Sequence, residues 1–347
     1  MATFLALTNR ILNELNEPEL TSGTFTSSRG IQTIAKNIVN KSIHDIYNSE
    51  IEWPFIHSDQ TDSLTAGTQE YSVPSDSRKI KAGTFILIPS NLITNGTFDS
   101  NINSWSTTSG TPAHSSGVLR LNSAGAEQSF STVVNKQYVL RCRTFGGDLT
   151  LNIGTGSGGT QISTQTLSVD NLGDGQYHTV KFAATTTTTY VGFVNSASAN
   201  YDVDNVEVSE DISPRKLSFL SYEEWYDKFS SRDLNPTDKN QFGIPEYVFE
   251  THDDKFGLTP IPDRSTLSVR YEYYKVHTDL SAHGDTPDLP ERFDDVIVNR
   301  GRYYLHVVRA NMPAAQLSEK DYKEGLSRMR IELINKRNYI FAAGLGI

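Results

Sequence analysis

The sequence NLITNGTFDSNINSWSTTSG, residues 91–110, opens a segment whose composition differs from that of the chain around it. Residues 91–210 contain five Lys or Arg and nine Asp or Glu, whereas the whole chain of 347 residues contains 31 and 41. The segment is rich in Ser, Thr, Gly and Asn instead. Because a sharp change of composition indicates a boundary between domains, we expect a second domain to begin at residue 91.

Short runs of alternating apolar and polar residues follow one another through this segment. They include SGVLRLNS, KQYVLRCRTF, YHTVKFAA and TTYVGFVNS, and turns rich in Gly, Asn and Ser separate them. Strands of this length and spacing are typical of a β-sandwich. Since the earlier charge density returns at ISPRKLSFL, residues 212–220, we predict that residues 91–210 form an all-β domain inserted into a loop of another domain.

The chain outside this segment has both helical and strand patterns. Apolar residues at helical spacing predict a helix that starts near Phe4 and a second one from Ile31 to Tyr47, paired as a hairpin by the polar link GTFTSS. Thr3 is the expected cap of the first helix. KAGTFILIPS, PEYVFETHDDKFGLTPIPD and STLSVRYEYYKV predict strands.

Two further helices are predicted near the end of the chain. The first lies in PDLPERFDDVIVNRGRYYLHVVRA and has Asp288 near its start, and the second lies in EKDYKEGLSRMRIELINKRN. We therefore predict an α+β protein. Its base domain, residues 1–90 and 211–347, is discontinuous and combines helices with a small antiparallel sheet, and residues 91–210 form the insert.

Charge, cysteine content and hydropathy exclude several classes of protein. The formal net charge of −10 argues against sequence-independent binding to nucleic acid, which needs a basic surface. The single cysteine, Cys142, excludes an intrachain disulfide, and the alternating run YVLRCRT predicts a buried, unreactive thiol. We find no signal-peptide pattern and no run of ~20 apolar residues, so we expect a protein made in a cytosol that does not enter a membrane.

Motifs of enzymatic chemistry are absent from the sequence. The eight histidines form no HExxH motif and no i,i+4 pair, and there is no GxSxG elbow. The glycine run IGTGSGGT, residues 153–160, lacks the Lys-Ser/Thr pair of a phosphate-binding loop, so we interpret it as a hairpin loop. We expect a protein without catalytic residues and without a cofactor.

The sequence suggests two candidate binding sites within residues 91–210, each with an alternative interpretation. Asp202 and Asp204, in YDVDNVEV, lie two residues apart on a predicted strand, and with Asp99 they could supply oxygen ligands for a structural calcium ion. The alternative is that these carboxylates face solvent or a turn. Trp105 could stack on a sugar, and the alternative is that it packs against Phe98 in the core of the sandwich.

Residues 91–210 resemble the carbohydrate-binding-module-like jelly rolls. The resemblance rests on the opening NLITNGTFDSNINSW and on the closing strand NYDVDNVEVSE. It implies a jelly-roll sandwich. Many such modules serve only as spacers or interaction domains, so sugar binding does not follow from the fold.

The base domain resembles the head-to-tail adaptor proteins of short-tailed bacteriophages, the group that includes tail tubular protein A. The matching motifs occur in the expected order, namely FLALTNRILNELNEPEL, IQTIAKNIVNKSIHDIYNSEIEWPF, QEYSVPSDSRKI, SYEEWYDKF, LSVRYEYYK and DTPDLPERFDDVIVNRGRYYL. The most specific of them is LPERFDDVIV before a Tyr-rich helix.

This resemblance implies a structural virion protein at the head–tail junction, assembled in the host cytoplasm. It implies a homo-oligomeric ring, usually of twelve subunits, that joins the portal to the tail nozzle and lets DNA pass through its lumen without sequence-specific binding. We expect the insert to lie outside the ring, where it could contact a tail fibre. The apolar tail YIFAAGLGI is the expected portal contact, through Tyr339, Ile340, Phe341, Leu345 and Ile347.

Two alternatives belong to other functional classes. One is a carbohydrate-binding or glycan-processing protein that acts through the jelly roll. The other is a soluble binding module of unknown partner. The absence of a secretion signal and of a convincing acid/base pair of carboxylates disfavours the carbohydrate-binding or glycan-processing protein.

Overall fold

The computed structural model describes residues 2–14, 16–169, 174–234, 242–251 and 254–334. The protein is a mixed α+β structure that divides into two compact units. The helical unit comprises the described residues of Met1–Gln60, Pro74–Lys81 and Glu272–Ile347. The strand unit comprises those of Thr61–Val73 and Ala82–Tyr271.

The α-helices of the described residues are α1 (Phe4–Asn13), α2 (Ile31–Ser49), α3 (Tyr222–Asp233), α4 (Asp294–Val308) and α5 (Met312–Leu333). The strands are β1 (His57–Ser63), β2 (Glu70–Ser72), β3 (Ser77–Ile80), β4 (Ile86–Pro89), β5 (Ser106–Ser109), β6 (Ala113–Ser115), β7 (Val118–Leu121), β8 (Ala124–Ser131), β9 (Gln137–Phe145), β10 (Leu149–Gly154), β11 (Ser163–Leu167), β12 (Gln176–Ala183), β13 (Thr188–Asn195), β14 (Tyr201–Glu210), β15 (Arg215–Lys216), β16 (Ser218–Leu220), β17 (Phe242–Gly243), β18 (Tyr247–Glu250), β19 (Lys255–Thr259), β20 (Ile261–Pro262) and β21 (Leu267–Lys275).

The helical unit is built around α1, α2, α4 and α5. The predicted hairpin of α1 and α2 is present, and Thr3 caps α1 by accepting a hydrogen bond from the Ala6 amide. Helix α4 packs against α1, α2 and α5. A Cβ added at Gly301 on α4 would lie 2.3 Å from Cδ1 of Ile11, so this glycine allows α1 and α4 to approach closely.

The start of α4 differs from the prediction that placed Asp288 near it. The helix begins at Asp294, after a 3₁₀ turn over Glu291–Phe293. Pro290 has no amide hydrogen and disfavours helical geometry in the residue before it, so the α-helix starts beyond it. Asp288 instead accepts a hydrogen bond from the Tyr47 hydroxyl, at 3.4 Å.

The predicted sandwich lies in the strand unit. One antiparallel sheet has the order β11-β10-β13-β8-β5, and the other has the order β12-β9-β14-β7-β6. The two sheets bury a common apolar core that includes Phe98, Tyr138, Leu151, Phe193 and Val208. Alternation of apolar and polar residues along these strands produces the buried face.

The small sheets outside the sandwich combine antiparallel and parallel pairs, and β4 pairs antiparallel with both β15 and β21. The sheet of order β16-β18-β19-β2 contains one parallel pair, β16 with β18, and β17 also pairs with β20 in parallel. Helix α3 lies between β16 and β18 in the chain, and a crossover connection of this kind is what a parallel pair requires. Ser221 and Glu224 form a capping box at the start of α3.

The change from small sheets to sandwich falls close to residue 90. The Ser90 amide bonds to the Thr266 carbonyl beside β21, whereas the Leu92 amide bonds to the Val208 carbonyl in β14. The strand unit nevertheless groups the sandwich with the small sheets. The domain boundaries at residues 90/91 and 210/211 therefore stay a prediction.

Candidate functional site

The first of the three predicted calcium ligands already has a protein partner. Asp202 lies directly opposite Arg120 in the pairing of β14 with β7, and its carboxylate accepts from Nε and Nη2 of Arg120, both at 2.8 Å. The pKa of the Arg120 guanidinium is raised by these hydrogen bonds. A two-point contact of this geometry occupies both oxygens of Asp202.

The other two carboxylates lie near each other and bind local groups. Asp204 accepts from the amide of Asn205 at 2.7 Å and from its side chain at 3.0 Å, and Asp99 accepts from the Thr97 hydroxyl at 2.9 Å. Burial raises the pKa of Asp204, and the charge of Asp99 adds to the rise. The one close group of three His, Cys, Asp or Glu ligands among the described residues lies elsewhere, and the calcium site stays a prediction.

Trp105 packs into the sandwich core. Its ring centroid lies 5.4 Å from that of Phe98 and 6.0 Å from that of Phe193, and its indole N–H donates to the Asn95 carbonyl at 3.1 Å. The packing alternative is therefore confirmed. Only 8% of the residue is exposed, so the ring offers a sugar little surface, and the sugar contact stays a prediction.

The glycine run joins β10 to β11 as the predicted hairpin loop. It encloses a carboxylate of the protein itself. The Ser157 hydroxyl and the Gly158 amide donate to the two oxygens of Glu127, the amide at 2.7 Å. Gly158 has φ +65°, a conformation that favours glycine and that directs its amide toward the carboxylate.

Cys142 lies in the middle of β9 and is 1% exposed. Burial raises the pKa of its thiol to about 12. The prediction of a buried thiol is confirmed.

Sequence patterns did not indicate a cluster of two histidines and a carboxylate in the helical unit. His44 on α2 and His277 after β21 lie with Asp279 so that one ligand atom of each falls within 4.8 Å of the others. Nε2 of His44 lies 2.8 Å from Oδ1 of Asp279. Burial lowers the pKa of His277 to about 4. His44 and His277 are far apart in the sequence, so no short spacing motif indicates that they lie close together.

The predicted portal contacts, Tyr339, Ile340, Phe341, Leu345 and Ile347, lie outside the described residues. Within the residues that the structure describes, no helix has both the length and the apolar character needed to cross a bilayer.

Comparison with known proteins identifies the chain as a structural or binding protein of bacteriophages. Residues 157–340, more than half of the chain, match the model of the SU10 adaptor protein family. The chain belongs to this family, and it is therefore a phage adaptor and a virion component. The match begins inside the sandwich, before β11, and ends beyond α5.

Solved structures similar to the chain include carbohydrate-binding domains. A CBM4 domain is 15% identical over 34% of this chain and 99% of its own length, with a TM-score of 0.29. The N-terminal cellulose-binding domain of Cellulomonas fimi β-1,4-glucanase C is 18% identical over 36% of this chain and 99% of its own length, also at 0.29. The enzymatically active domain of bacteriophage CBA120 tailspike protein 4 is 14% identical over 35% of this chain and 21% of its own length, again at 0.29. No curated protein matches the chain.

Proposed function

We propose that this chain is a subunit of a closed ring that joins the portal to the tail nozzle of a short-tailed phage. Membership of the adaptor family is the observation that carries the proposal. In this role the chain extends the DNA channel and offers a docking surface to tail components. It is assembled in the host cytoplasm and ends at the head–tail junction of the virion.

Surface properties of the chain support this role. Large apolar side chains are exposed on α4 and α5, including Val308, Met312, Leu317 and Ile331. In a closed ring, each subunit contacts its two neighbours through two different surfaces. The neighbouring subunits would cover these exposed apolar side chains. The net charge of −10 suits a channel through which DNA passes without being held.

The proposal also includes the number of subunits, the portal contact and the position of the sandwich. The ring contains twelve copies, as the resemblance to tail tubular protein A implies. The apolar tail that includes Phe341 and Ile347 contacts the portal. The sandwich lies outside the ring, since it would block the lumen if it lay inside, and it contacts tail fibres or neighbouring subunits.

The test is to mix the purified full chain with the portal of the same phage, and to measure mass by light scattering and shape by electron microscopy. We expect closed rings and a portal complex. Phe341→Ser combined with Ile347→Ser should keep the ring and weaken portal binding. Phe219→Ser, which changes an exposed apolar residue of β16, is the matched control and should change neither.

A chain that stays monomeric and fails to bind the portal contradicts this proposal. The carbohydrate-binding alternative predicts a different result, namely binding to a glycan array that Trp105→Phe abolishes while the protein stays folded.

A further inference from the structure

The histidine–carboxylate cluster of the helical unit combines residues from two segments. His44 lies in the last part of α2, and His277 and Asp279 lie in the segment that follows β21. One helical turn before His44, the side chain of Asn40 accepts from the Leu280 amide at 3.1 Å and donates to the Leu280 carbonyl at 3.0 Å. These two hydrogen bonds hold the segment against α2, so the cluster is positioned by the protein itself.

His277 is the buried member of the cluster. The residue is 8% exposed, and its Nε2 atom is buried without a hydrogen-bond partner among the described residues. Its ring packs against His44 and Tyr47, with centroid distances of 5.0 and 4.7 Å. Buried polar atoms nearly always have a partner, because leaving one unpaired costs free energy. Beside a second imidazole and a carboxylate, this unpaired imidazole nitrogen has a lone pair that can bind a metal ion.

We propose that His44, His277 and Asp279 bind a divalent transition-metal ion of the zinc class. Two imidazoles and one carboxylate are ligands that Zn²⁺ prefers, whereas Ca²⁺ and Mg²⁺ prefer sites made of oxygen atoms alone. With ligands at about 2.0–2.1 Å, the donor atoms of a tetrahedral site lie roughly 3.4 Å apart. The three donor atoms now lie within 4.8 Å of one another, so metal binding requires only small side-chain movements. The side chains of His44 and Asp279 are partly exposed and have room to make them.

The metal replaces the hydrogen bond between His44 and Asp279. On binding, the neutral His44 ring carries its proton on Nδ1, any proton between Nε2 and the Asp279 carboxylate is released to solvent, and the lone pair of Nε2 binds the ion. A depression of about 520 Å³ that His277, Asp279 and Asp288 help to line adjoins the cluster, and a water molecule from it could complete the coordination of the ion. The bound ion therefore links α2 to the segment after β21, and it acts as a structural clip of the helical unit.

Zinc binding is measured on the untagged full chain after dialysis against EDTA, by competition with a chromophoric zinc indicator. We expect one Zn²⁺ per chain and a Tm that rises with zinc concentration, because a ligand that binds only the folded state stabilises it. His44→Gln and Asp279→Asn should each weaken the affinity at least tenfold and remove the rise in Tm. His306→Gln, which changes a partly buried histidine of α4, is the matched control and should bind like the wild type.

Cobalt provides a readout that needs no variant. Bound in this site, Co²⁺ should show the strong visible absorption of tetrahedral coordination, and one equivalent of Zn²⁺ should remove it. Ca²⁺ and Mg²⁺ should leave both signals unchanged. Binding of less than about one zinc per chain, weak octahedral cobalt absorption, or equal affinity in wild type and both variants would overturn the proposal.

Discussion

The buried position of Cys142 in β9 makes its thiol unreactive. Since burial raises the pKa of the thiol to about 12, roughly one thiol in ten thousand is ionised at pH 8, and the residue is also inaccessible. We expect the folded protein not to react with Ellman's reagent at pH 8, and the chain unfolded in guanidinium to react with one equivalent. Rapid labelling of the folded protein would show that β9 opens or is placed differently.

The lowered pKa of Asp263 makes the free energy of unfolding depend on pH. Two hydrogen bonds from Arg264, at 2.7 and 2.8 Å, hold the pKa of this carboxyl below its usual value, and Arg264 also pairs with the buried Glu210. A depressed pKa in the folded state stabilises the protein above the unfolded value of about 3.9, and this stability is lost as pH falls through the folded value.

Asp263→Asn should therefore lower the free energy of unfolding at pH 7, with a difference from wild type that shrinks as the pH falls below about 4. Denaturant unfolding at a series of pH values measures this difference. A difference that stays constant across the series would contradict the assignment of the ionised Asp263 to the pair.

The individual residues show where sequence reasoning worked. The contact of Trp105 with Phe98 could be predicted, because both belong to one short apolar pattern near the start of the sandwich. The partner of Asp202 could not be predicted, because cross-strand neighbours depend on register, and a slip of one residue moves every side chain to the other face. His44 and His277 are brought together only by the packing of the segment after β21 on α2.

Helix α4 depends on a close approach to α1 at Gly301. Gly301→Ala gains about 1 kcal/mol of helix propensity, but its Cβ would lie 2.3 Å from Cδ1 of the fully buried Ile11. Overpacking of this kind costs about 1–3 kcal/mol, so we expect a net destabilisation of up to about 2 kcal/mol.

A double variant tests this mechanism. Ile11→Val removes Cδ1, the atom that the new Cβ would strike, and alone costs about 0.5–1.5 kcal/mol. Combined with Gly301→Ala, it should destabilise the protein less than the sum of the two single changes, as measured by denaturant unfolding. Strictly additive effects would show that the two positions do not touch.

Elements with strong periodicity were predictable, and elements set by distant pairing were not. The hairpin of α1 and α2 and the strands of the sandwich follow from apolar spacing. Helix α3 begins with a capping-box signature, Ser221 followed three residues later by Glu224, and this local pattern is visible in the sequence alone. The parallel pairing of β16 with β18 is a tertiary feature that no local pattern specifies.

In the whole molecule, the family match crosses the predicted domain boundary. It covers residues 157–340, which include the sandwich strands β11 to β14 and the strands and helices that follow them. The composition change at residue 91 could be seen in the sequence, and so could the likeness of the other residues to phage adaptors. The structure adds that the sandwich and the small sheets lie in one compact unit, and that the Leu92 and Ser90 amides bond to Val208 in β14 and to Thr266 just before β21.

This chain is proposed to form the ring between the portal and the tail nozzle. Electron cryomicroscopy of the intact phage particle tests it most directly, since each chain can be traced in its own position. We predict a closed ring of twelve copies directly below the portal, with the sandwich of each subunit outside the lumen. Density for the chain only at the fibres or the distal tail, or no density for it at the head–tail junction, would contradict the claim.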